Sequence, residues 1–150
     1  METREKYTHV LPLAVRWGDA DAMGHINNVQ FVRYIESSRV DYGETVNKLK
    51  FQAGVDSCWI LADLQCRFID QLRYPCNIEV CTRTSKLGNK SAELISTIFV
   101  AGKSEPVFSS VAMVVWFDYI RQQSMRIPER VREQVIDFER IKPVTSLPKN

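Results

Sequence analysis

A single long helical pattern, from residue 28 to about residue 49, limits the possible folds more than any other part of the chain. Apolar residues recur at helical spacing along one side of this pattern. They are Phe31, Tyr34, Ile35, Ser38, Tyr42, Thr45, Val46 and Leu49. We expect the opposite side, with Arg33, Glu36, Ser37, Glu44 and Asn47, to face solvent. A helix of roughly twenty residues is about 30 Å long, so a chain of 150 residues has room for one central helix of this kind.

The rest of the chain is mostly typical of β-strands. Alternating and β-branched residues predict strands over Thr8–Trp17, Cys58–Ile69, Asn77–Leu87, Ser91–Val100 and Val107–Tyr119. The Gly88-Asn89 turn between the third and fourth segments predicts a hairpin. The segment Val111–Phe117 is apolar on both faces, which indicates a central strand. Consecutive strands with short turns favour an antiparallel sheet with the helix on one face, an α+β fold.

The length of the chain favours one domain over residues 1–150, with its core at about 8–120 and a C-terminal helix and tail over 121–150. Pro128–Arg140 predicts a short charged helix, because proline is accepted in a first helical turn. From Lys142 onward the tail is polar, and we expect it to fray. The mid-helix Ser38 suggests a place where the helix approaches the sheet closely.

Composition excludes several classes of protein. The formal net charge of +2 argues against a dedicated nucleic-acid or membrane surface, and no apolar run is long enough to span a bilayer. Met1–Lys6 is too polar for a signal peptide. The four cysteines lack a CxxC spacing, which argues against a metal site and indicates reduced thiols in the cytoplasm. No G-x-S-x-G, P-loop or dinucleotide-binding motif is present.

The segment between the first strand and the helix, residues 15–28, concentrates the reactive side chains. It contains Asp19 and Asp21, a glycine turn at Gly24, and a histidine. Asn27 or Asn28 is predicted to cap the helix, and Gln30 to complete a capping box. The segment therefore places a carboxylate beside the unpaired N–H donors of a helix N-terminus. Acyl-transfer chemistry uses this combination of a nucleophile or base with oxyanion donors.

These residues resemble the hotdog-fold acyl-CoA thioesterases of the 4-hydroxybenzoyl-CoA thioesterase type. The resemblance covers about residues 8–120 and rests on Asp19–Asn28 followed by Tyr34 and Glu36, on Phe68–Pro75, and on Leu87–Ser91. It implies a sheet of about five strands around one long helix, and hydrolysis of an acyl-CoA or acyl-carrier-protein thioester. No cofactor is expected apart from coenzyme A as part of the substrate. It also implies a homodimer with a continuous sheet or a homotetramer.

The resemblance assigns the catalytic carboxylate to Asp21, as nucleophile or as general base. The backbone of Gly24, His25 and Ile26 is where we expect the oxyanion donors. Asp19 is expected to shape the loop. The competing interpretation of Asp21 is an ordinary turn residue ahead of a helix.

Substrate binding is predicted at two places. Asn27 and Asn28 are expected to cap the helix, and one of them to touch the acyl group. The resemblance implies a role for Lys90 and Ser91 near the phosphates of coenzyme A, whereas a solvated surface lysine is the alternative for Lys90. The family often has tyrosine where Phe68 stands, so this chain lacks that hydroxyl.

Two other functions stay open. One is a non-catalytic module that binds acyl-CoA or a protein partner, against which Asp21 argues. The other is a dehydratase or hydratase on the same fold, which usually needs a catalytic histidine paired with a carboxylate. His9 and His25 are the two histidines of the chain. We assign Trp17, Trp59 and Trp116 to the core or to an interface.

Overall fold

The computed structural model describes residues 2–146. One long helix and five long strands form the framework, in the order predicted from the sequence. The elements are β1 His9–Ala14, α1 Asn28–Asn47, β2 Ser57–Phe68, β3 Asn77–Leu87, β4 Ser91–Val100, β5 Pro106–Asp118, β6 Gln123–Ser124, α2 Glu129–Phe138 and β7 Val144–Thr145. Two single-turn 3-10 helices, Arg4–Lys6 and Trp17–Asp19, precede α1.

The five long strands form one sheet in the order β1-β3-β4-β5-β2, and each neighbouring pair is antiparallel. β3 and β4 form the predicted hairpin around Gly88-Asn89. β1 and β2 are the two outer strands of this path. Pro12 therefore lies on an edge strand, where its missing N–H is tolerated. The predicted α+β architecture is confirmed.

Helix α1 lies against β3 at close range because small polar side chains face each other there. Ser38 is fully buried, with its Oγ 2.7 Å from Thr82 Oγ1 and 3.3 Å from the Val80 carbonyl oxygen. The close approach predicted at Ser38 is confirmed. The predicted faces of α1 are wrong at two positions. Thr45 is exposed, whereas Asn47 is buried and donates from Nδ2 to the Val131 carbonyl oxygen of α2.

The core has two main apolar clusters, one at each end of α1. The cluster near the start of α1 includes Val15, Ile26, Phe31, Ile35, Leu72, Ile78, Val107 and Phe108. The cluster near its end includes Tyr42, Val46, Leu87, Val114, Trp116, Ile127, Val131 and Val135. α2 contributes Val131 and Val135 to the second cluster, so this short charged helix closes that end of the sheet. Neither helix within residues 2–146 has the length and apolar character that a membrane span requires.

The C-terminal tail differs from the sequence prediction. Val144–Thr145 forms a short strand parallel to Lys86–Leu87 of β3, and the Ser146 N–H donates to the Leu87 carbonyl oxygen at 3.1 Å. Backbone pairing therefore fixes a segment that was expected to fray. The remaining tail, 147–150, lies outside the described residues.

Candidate active site

Asp19 ties the loop before α1 to the helix itself. Its Oδ2 accepts the Tyr34 hydroxyl at 2.6 Å and the Arg16 N–H at 3.0 Å. Its carbonyl oxygen accepts the Asn27 N–H at 3.0 Å. Burial, and then the Asp19 carboxylate, raise the pKa of Tyr34 above its usual value. These three hydrogen bonds to Asp19 hold the loop before α1 in place.

Asp21 closes a tight turn and is exposed. Its Oδ1 accepts the N–H groups of Met23 at 2.9 Å and His25 at 3.2 Å. Its own N–H donates to the His25 carbonyl oxygen at 2.7 Å. Within residues 2–146, the second carboxylate oxygen, Oδ2, accepts no hydrogen bond. One oxygen thus orients the carboxylate, and the other remains available for a ligand.

The backbone N–H groups of Gly24, His25 and Ile26 all have acceptors in this chain. Gly24, with a left-handed φ of 82°, donates to the Asp21 carbonyl oxygen at 3.0 Å, and Ile26 donates to the Leu72 carbonyl oxygen at 2.8 Å. The His25 N–H makes the longest of the three bonds, 3.2 Å to Asp21 Oδ1. A substrate oxygen would therefore have to replace one of these acceptors.

Helix α1 begins beside Asp21 with an uncompensated positive end. Asn27 is the cap, and its Oδ1 accepts the Val29 N–H at 3.0 Å. The predicted capping box does not form, because the Asn27 N–H is bonded to the Asp19 carbonyl oxygen and is not available to Gln30. No acidic side chain lies in the first turn. The N–H of Asn28, the first helical residue, has no acceptor within residues 2–146, so it is the free donor at this helix end.

A cavity of about 490 Å³ joins these groups. Asp21 and Asn28 line it, together with apolar side chains of α1 and β2. The lining residues are Asp21, His25, Ile26, Asn28, Phe31, Phe68, Ile69, Asp70 and Gln71. Phe68 packs edge-to-face on Phe31, with ring centroids 5.7 Å apart. The cavity thus combines a carboxylate, a helix N-terminus and an aromatic wall.

Two neighbours of the site were missed in the sequence. Arg73 Nη2 lies 2.9 Å from His25 Nε2. Since arginine only donates, His25 Nε2 is the acceptor and the ring proton is on Nδ1. Asp70 lines the same cavity as Asp21. Both belong to the Phe68–Pro75 motif, but nothing in that motif says which side chains meet the loop.

Lys90 and Ser91 lie at the opposite end of the molecule. They follow β3, whose eleven residues span about 35 Å from the end that holds the Asp21 loop. The turn packs toward α2, since the Ile127 N–H donates to the Asn89 carbonyl oxygen at 2.9 Å. The Lys90 side chain is exposed. A single chain therefore does not bring Lys90 and Ser91 together with Asp21.

The match to a known protein family extends over most of the chain. The sequence profile of the thioesterase-like superfamily matches residues 15–135. The chain belongs to this superfamily. Among its relatives in the superfamily, the chloroplastic acyl-acyl carrier protein thioesterase ATL2 of Arabidopsis thaliana is 24% identical over 135 residues, which is 87% of this chain and 70% of that protein.

Solved structures show that the chain shares the fold of thioesterases in this superfamily. The PA5185 protein of Pseudomonas aeruginosa superposes with a TM-score of 0.84 at 25% identity, over 91% of this chain and 95% of that one. A Thermus thermophilus thioesterase solved with coenzyme A and zinc has a TM-score of 0.79 at 23% identity, over 90% and 96% of the two chains. The predicted hotdog fold is confirmed. Within residues 2–146, no group of three or more His, Cys, Asp or Glu side chains is placed to hold a metal ion.

Proposed function

We propose that this chain hydrolyses an acyl thioester, with Asp21 as the catalytic carboxylate. The observation that carries the proposal is that Asp21 lines one cavity with the start of α1, while its Oδ2 has no hydrogen-bond partner within residues 2–146. Either Oδ2 attacks the thioester carbon, or it takes a proton from a water that attacks. Both routes add one water across the C–S bond and release an acid and a thiol. The carboxylate supplies the reactive group, so the proposal needs no metal or redox cofactor.

The carbonyl oxygen of the substrate would bind at the start of α1. The free Asn28 N–H is the first candidate donor to this oxygen. The positive helix end stabilises the negative charge that develops on the oxygen during the reaction. The His25 N–H is the second candidate donor. It is held by the long 3.2 Å bond to Asp21 Oδ1, and it becomes free when the carboxylate turns toward the substrate. Gly24 and Ile26 then act by fixing the turn, since both of their N–H groups are bonded elsewhere.

The acyl group would lie against the aromatic side of the cavity. Phe31 is buried, Phe68 is half-exposed, and their rings touch edge-to-face. Asn27 is committed to the helix cap, so Asn28 is the asparagine that would touch the acyl group. The thiol carrier is coenzyme A or an acyl carrier protein. The coenzyme A of the Thermus structure and the name of the Arabidopsis relative support one carrier each, and a cytoplasmic site of action is part of the same proposal.

We also propose that two copies share each site. β2 is an outer strand of the sheet, and Leu61 and Phe68 on it are each more than 40% exposed. Two β2 strands pairing antiparallel across a two-fold axis would place the Phe68 end of one beside the Ser57 end of the other. The Ser57 end pairs with β5, and the Trp116 N–H of β5 donates to the Lys90 carbonyl oxygen at the start of β4.

This dimer would resolve the separation between the two predicted groups of site residues. Lys90 and Ser91 of one copy would approach the Asp21 cavity of the other, where an ammonium group suits the phosphates of coenzyme A. Pairing of two such dimers would give the tetramer implied by the family. Light scattering tests the assembly: a monomer at micromolar concentration would contradict the shared site.

Replacing Asp21 by asparagine is the decisive test. Asp21→Asn keeps the shape and the acceptor oxygen of the turn but removes the nucleophile and the base. We expect turnover of acyl thioesters to fall at least about a hundredfold, the low end for losing a positioned acid or base, with the thermal unfolding midpoint unchanged. A panel of acyl chain lengths on coenzyme A and on carrier protein supplies the substrates.

Asp19→Asn is the matched control, because it changes a carboxylate two residues away in the same loop. We expect it to lower stability more and turnover less than Asp21→Asn, since Asp19 holds Tyr34 and the loop backbone. Equal and small losses of turnover in two well-folded variants would contradict the assignment. Tight binding of acyl-CoA without turnover by the unmodified protein would instead favour the non-catalytic module.

A further inference from the structure

Arg73, in the segment before β3, lies against the turn at His25. Its Nη2 donates to His25 Nε2 at 2.9 Å, and its Nη1 lies 3.7 Å from the position that a Cβ on Gly24 would occupy. The preceding residue, Leu72, is buried and accepts the Ile26 N–H at 2.8 Å. The segment before β3 therefore contacts this turn twice, once through its backbone and once through the arginine side chain.

The hydrogen bonds that Asp21 makes to this turn are not permanent in the proposed reaction. Asp21 Oδ1 accepts the N–H groups of Met23 and His25 at 2.9 and 3.2 Å. Both bonds are lost when the carboxylate turns toward a substrate, the step that frees the His25 N–H. Within residues 2–146, the bond from Arg73 is the only hydrogen bond to the His25 side chain, and it does not involve Asp21. Arg73 can therefore hold His25 when Asp21 no longer does.

We propose that Arg73 is a positioning residue, which keeps the His25 N–H directed at the carbonyl oxygen of the thioester while the Asp21 carboxylate acts on the substrate. The inference rests on the proposed hydrolysis and adds to it a residue from outside the loop before α1. Within the described part of the chain, Arg73 is not among the residues that line the cavity, so it acts on His25 and not on the substrate. A small displacement of an oxyanion donor slows the chemical step strongly.

The contact requires a neutral His25 ring. Arginine only donates, so Nε2 must accept, whereas a protonated ring carries a donor on both nitrogens and a positive charge beside the guanidinium. Asp21, bonded to the His25 N–H, and Asp70, in the same cavity, are the carboxylates around this ring. They favour the protonated ring, and Arg73 opposes it. The contact should be present at about pH 8 and lost at about pH 5, because histidine titrates between these values.

The exposure of the contact separates a positioning role from a structural one. The Arg73–His25 bond is exposed, and an exposed bond adds little to the free energy of unfolding, because water replaces either partner. Loss of a contact that only decorates the surface would change neither turnover nor the thermal unfolding midpoint. Loss of a positioning contact lowers turnover and leaves the midpoint in place.

The test compares Arg73→Met with the unmodified protein on one acyl thioester between about pH 5 and about pH 8. Methionine keeps much of the arginine stem but cannot donate. At the alkaline end we expect kcat to fall about tenfold, with KM changed less than about twofold, because the lost contact orients a donor to the transition state. The ratio of the two kcat values should approach one at the acid end. Taking the ratio removes any pH dependence common to both proteins, that of Asp21 included.

Two further variants sharpen the comparison. Arg73→Lys is the rescue variant, since an ammonium group can also donate to Nε2 where a single bond is needed, and it should recover much of the lost kcat. Arg33→Met is the matched control, because Arg33 is an exposed arginine of α1 that is paired with Glu36 at 3.5 Å. It should keep the kcat and the pH profile of the unmodified protein. Thermal melts of each variant show whether a loss reflects unfolding.

Nuclear magnetic resonance tests the contact without substrate. The chain has two histidines, so the ring nitrogens of His25 can be assigned by comparison with a His25→Gln variant. In the unmodified protein at about pH 8, we expect the nitrogen chemical shifts to show the ring proton on Nδ1, because the bond at one nitrogen fixes the proton on the other. Arg73→Met should give a mixture of the two tautomers, and Arg33→Met should not.

The outcomes separate this inference from the proposed function. An unmodified protein that turns over no acyl thioester overturns the proposed function, and the role of Arg73 falls with it. A kcat that is unchanged in Arg73→Met, or reduced equally at both ends of the pH range, overturns the role of Arg73 alone and leaves the hydrolysis in place. A His25 ring with its proton on Nε2 in the unmodified protein also overturns this role, because Arg73 could not then donate to that nitrogen.

Discussion

Two tyrosines of the same helix, eight residues apart, each donate to a carboxylate in very different surroundings. Near the start of α1, Tyr34 donates to Asp19 Oδ2 at 2.6 Å. Near its end, Tyr42 donates to Glu139 Oε1 at 2.5 Å. Asp19 is the last residue of the single-turn 3-10 helix before α1, whereas Glu139 immediately follows α2. A tyrosine–carboxylate hydrogen bond therefore holds the segment before α1 at one end of the helix, and holds the end of α2 at the other.

The two carboxylates differ in what remains for them to do. Asp19 also accepts a loop N–H, and the loop it fixes carries the exposed Asp21. Glu139 is 1% exposed, and its Oε1 also accepts the Thr84 N–H at 2.9 Å. Its Oε2 is buried without a partner within residues 2–146. The first pair positions a loop at the candidate site, and the second closes the core where α2 docks.

The largest expected effect is loss of stability on removing the Tyr42 hydroxyl. Tyr42→Phe leaves the buried Glu139 carboxyl with fewer partners, and it also removes the 2.8 Å contact with Thr84. We expect unfolding free energy to fall by about 2 kcal/mol, within the range for a hydrogen bond to a buried or charged group. Urea denaturation measures this loss. An unchanged free energy of unfolding would show that the Tyr42–Glu139 hydrogen bond does not stabilise the fold.

Tyr34→Phe is the matched change at the other end and should have a smaller effect on stability. The Tyr34–Asp19 bond is only partly buried, so we expect a loss of about 1 kcal/mol. Turnover should fall about tenfold, since the loop that carries Asp21 would lose an anchor and small misplacements slow catalysis strongly. Kinetics of both variants on one thioester sharpen the contrast. A larger loss of turnover in Tyr42→Phe than in Tyr34→Phe would reverse our assignment of the two ends.

The pH dependence of stability should separate the ends further. Burial raises the pKa of Glu139 above its ordinary value of 4.5, although Tyr42 and the Thr84 N–H partly oppose the shift. Between pH 4.5 and the raised pKa, the folded state binds more protons than the unfolded state. This residue's contribution to stability is therefore present below pH 4.5 and is lost as pH rises through the raised value.

Glu139→Gln should reduce that loss, because glutamine keeps an acceptor for Tyr42 but does not ionise. We expect the stability of the variant to fall less than that of the unmodified protein between pH 4.5 and neutral pH. Urea denaturation at several pH values measures the difference. Asp19→Asn is the comparison at the other end, and it should leave this part of the pH profile in place. Parallel profiles for Glu139→Gln and the unmodified protein would contradict the raised pKa.

The contrast between the two ends of α1 also explains which structural features could be predicted from the sequence. The start of α1 and the bounds of β3 and β4 match their predictions, because caps and turn residues mark them locally. Asp21, Gly24 and Asn28 lie within eight residues of one another, so their grouping also follows from the sequence. The grouping of these residues at the Asp21 end is thus determined mainly by residues that are close together in the sequence.

The other end depends on contacts between distant segments. Glu139 is 97 residues from Tyr42, and it follows a helix in which half of the residues are charged, so nothing marks it as buried. Asn47 was assigned to the solvent side because the docking of α2 has no local signal. At the Asp21 end, the contact of Arg73 with His25, 48 residues apart, could not be predicted for the same reason. Packing between distant segments determines the surroundings of these residues, and it cannot be predicted from helical or strand periodicity.

The smallest expected effect tests whether the two ends meet across a dimer. If Lys90 of one copy lies near the Asp21 cavity of the other, Lys90→Ala should raise the Michaelis constant for acyl-CoA by a few fold with little change in turnover, as for lost uniform binding. The effect should shrink at high salt, since an exposed ion pair is screened. Lys86→Ala is the control, because Lys86 is also exposed on this hairpin but is paired with Glu93 at 3.3 Å. A constant unaffected by Lys90→Ala at low and high salt would leave Lys90 a solvated surface residue, and the two ends of α1 would then be functionally separate.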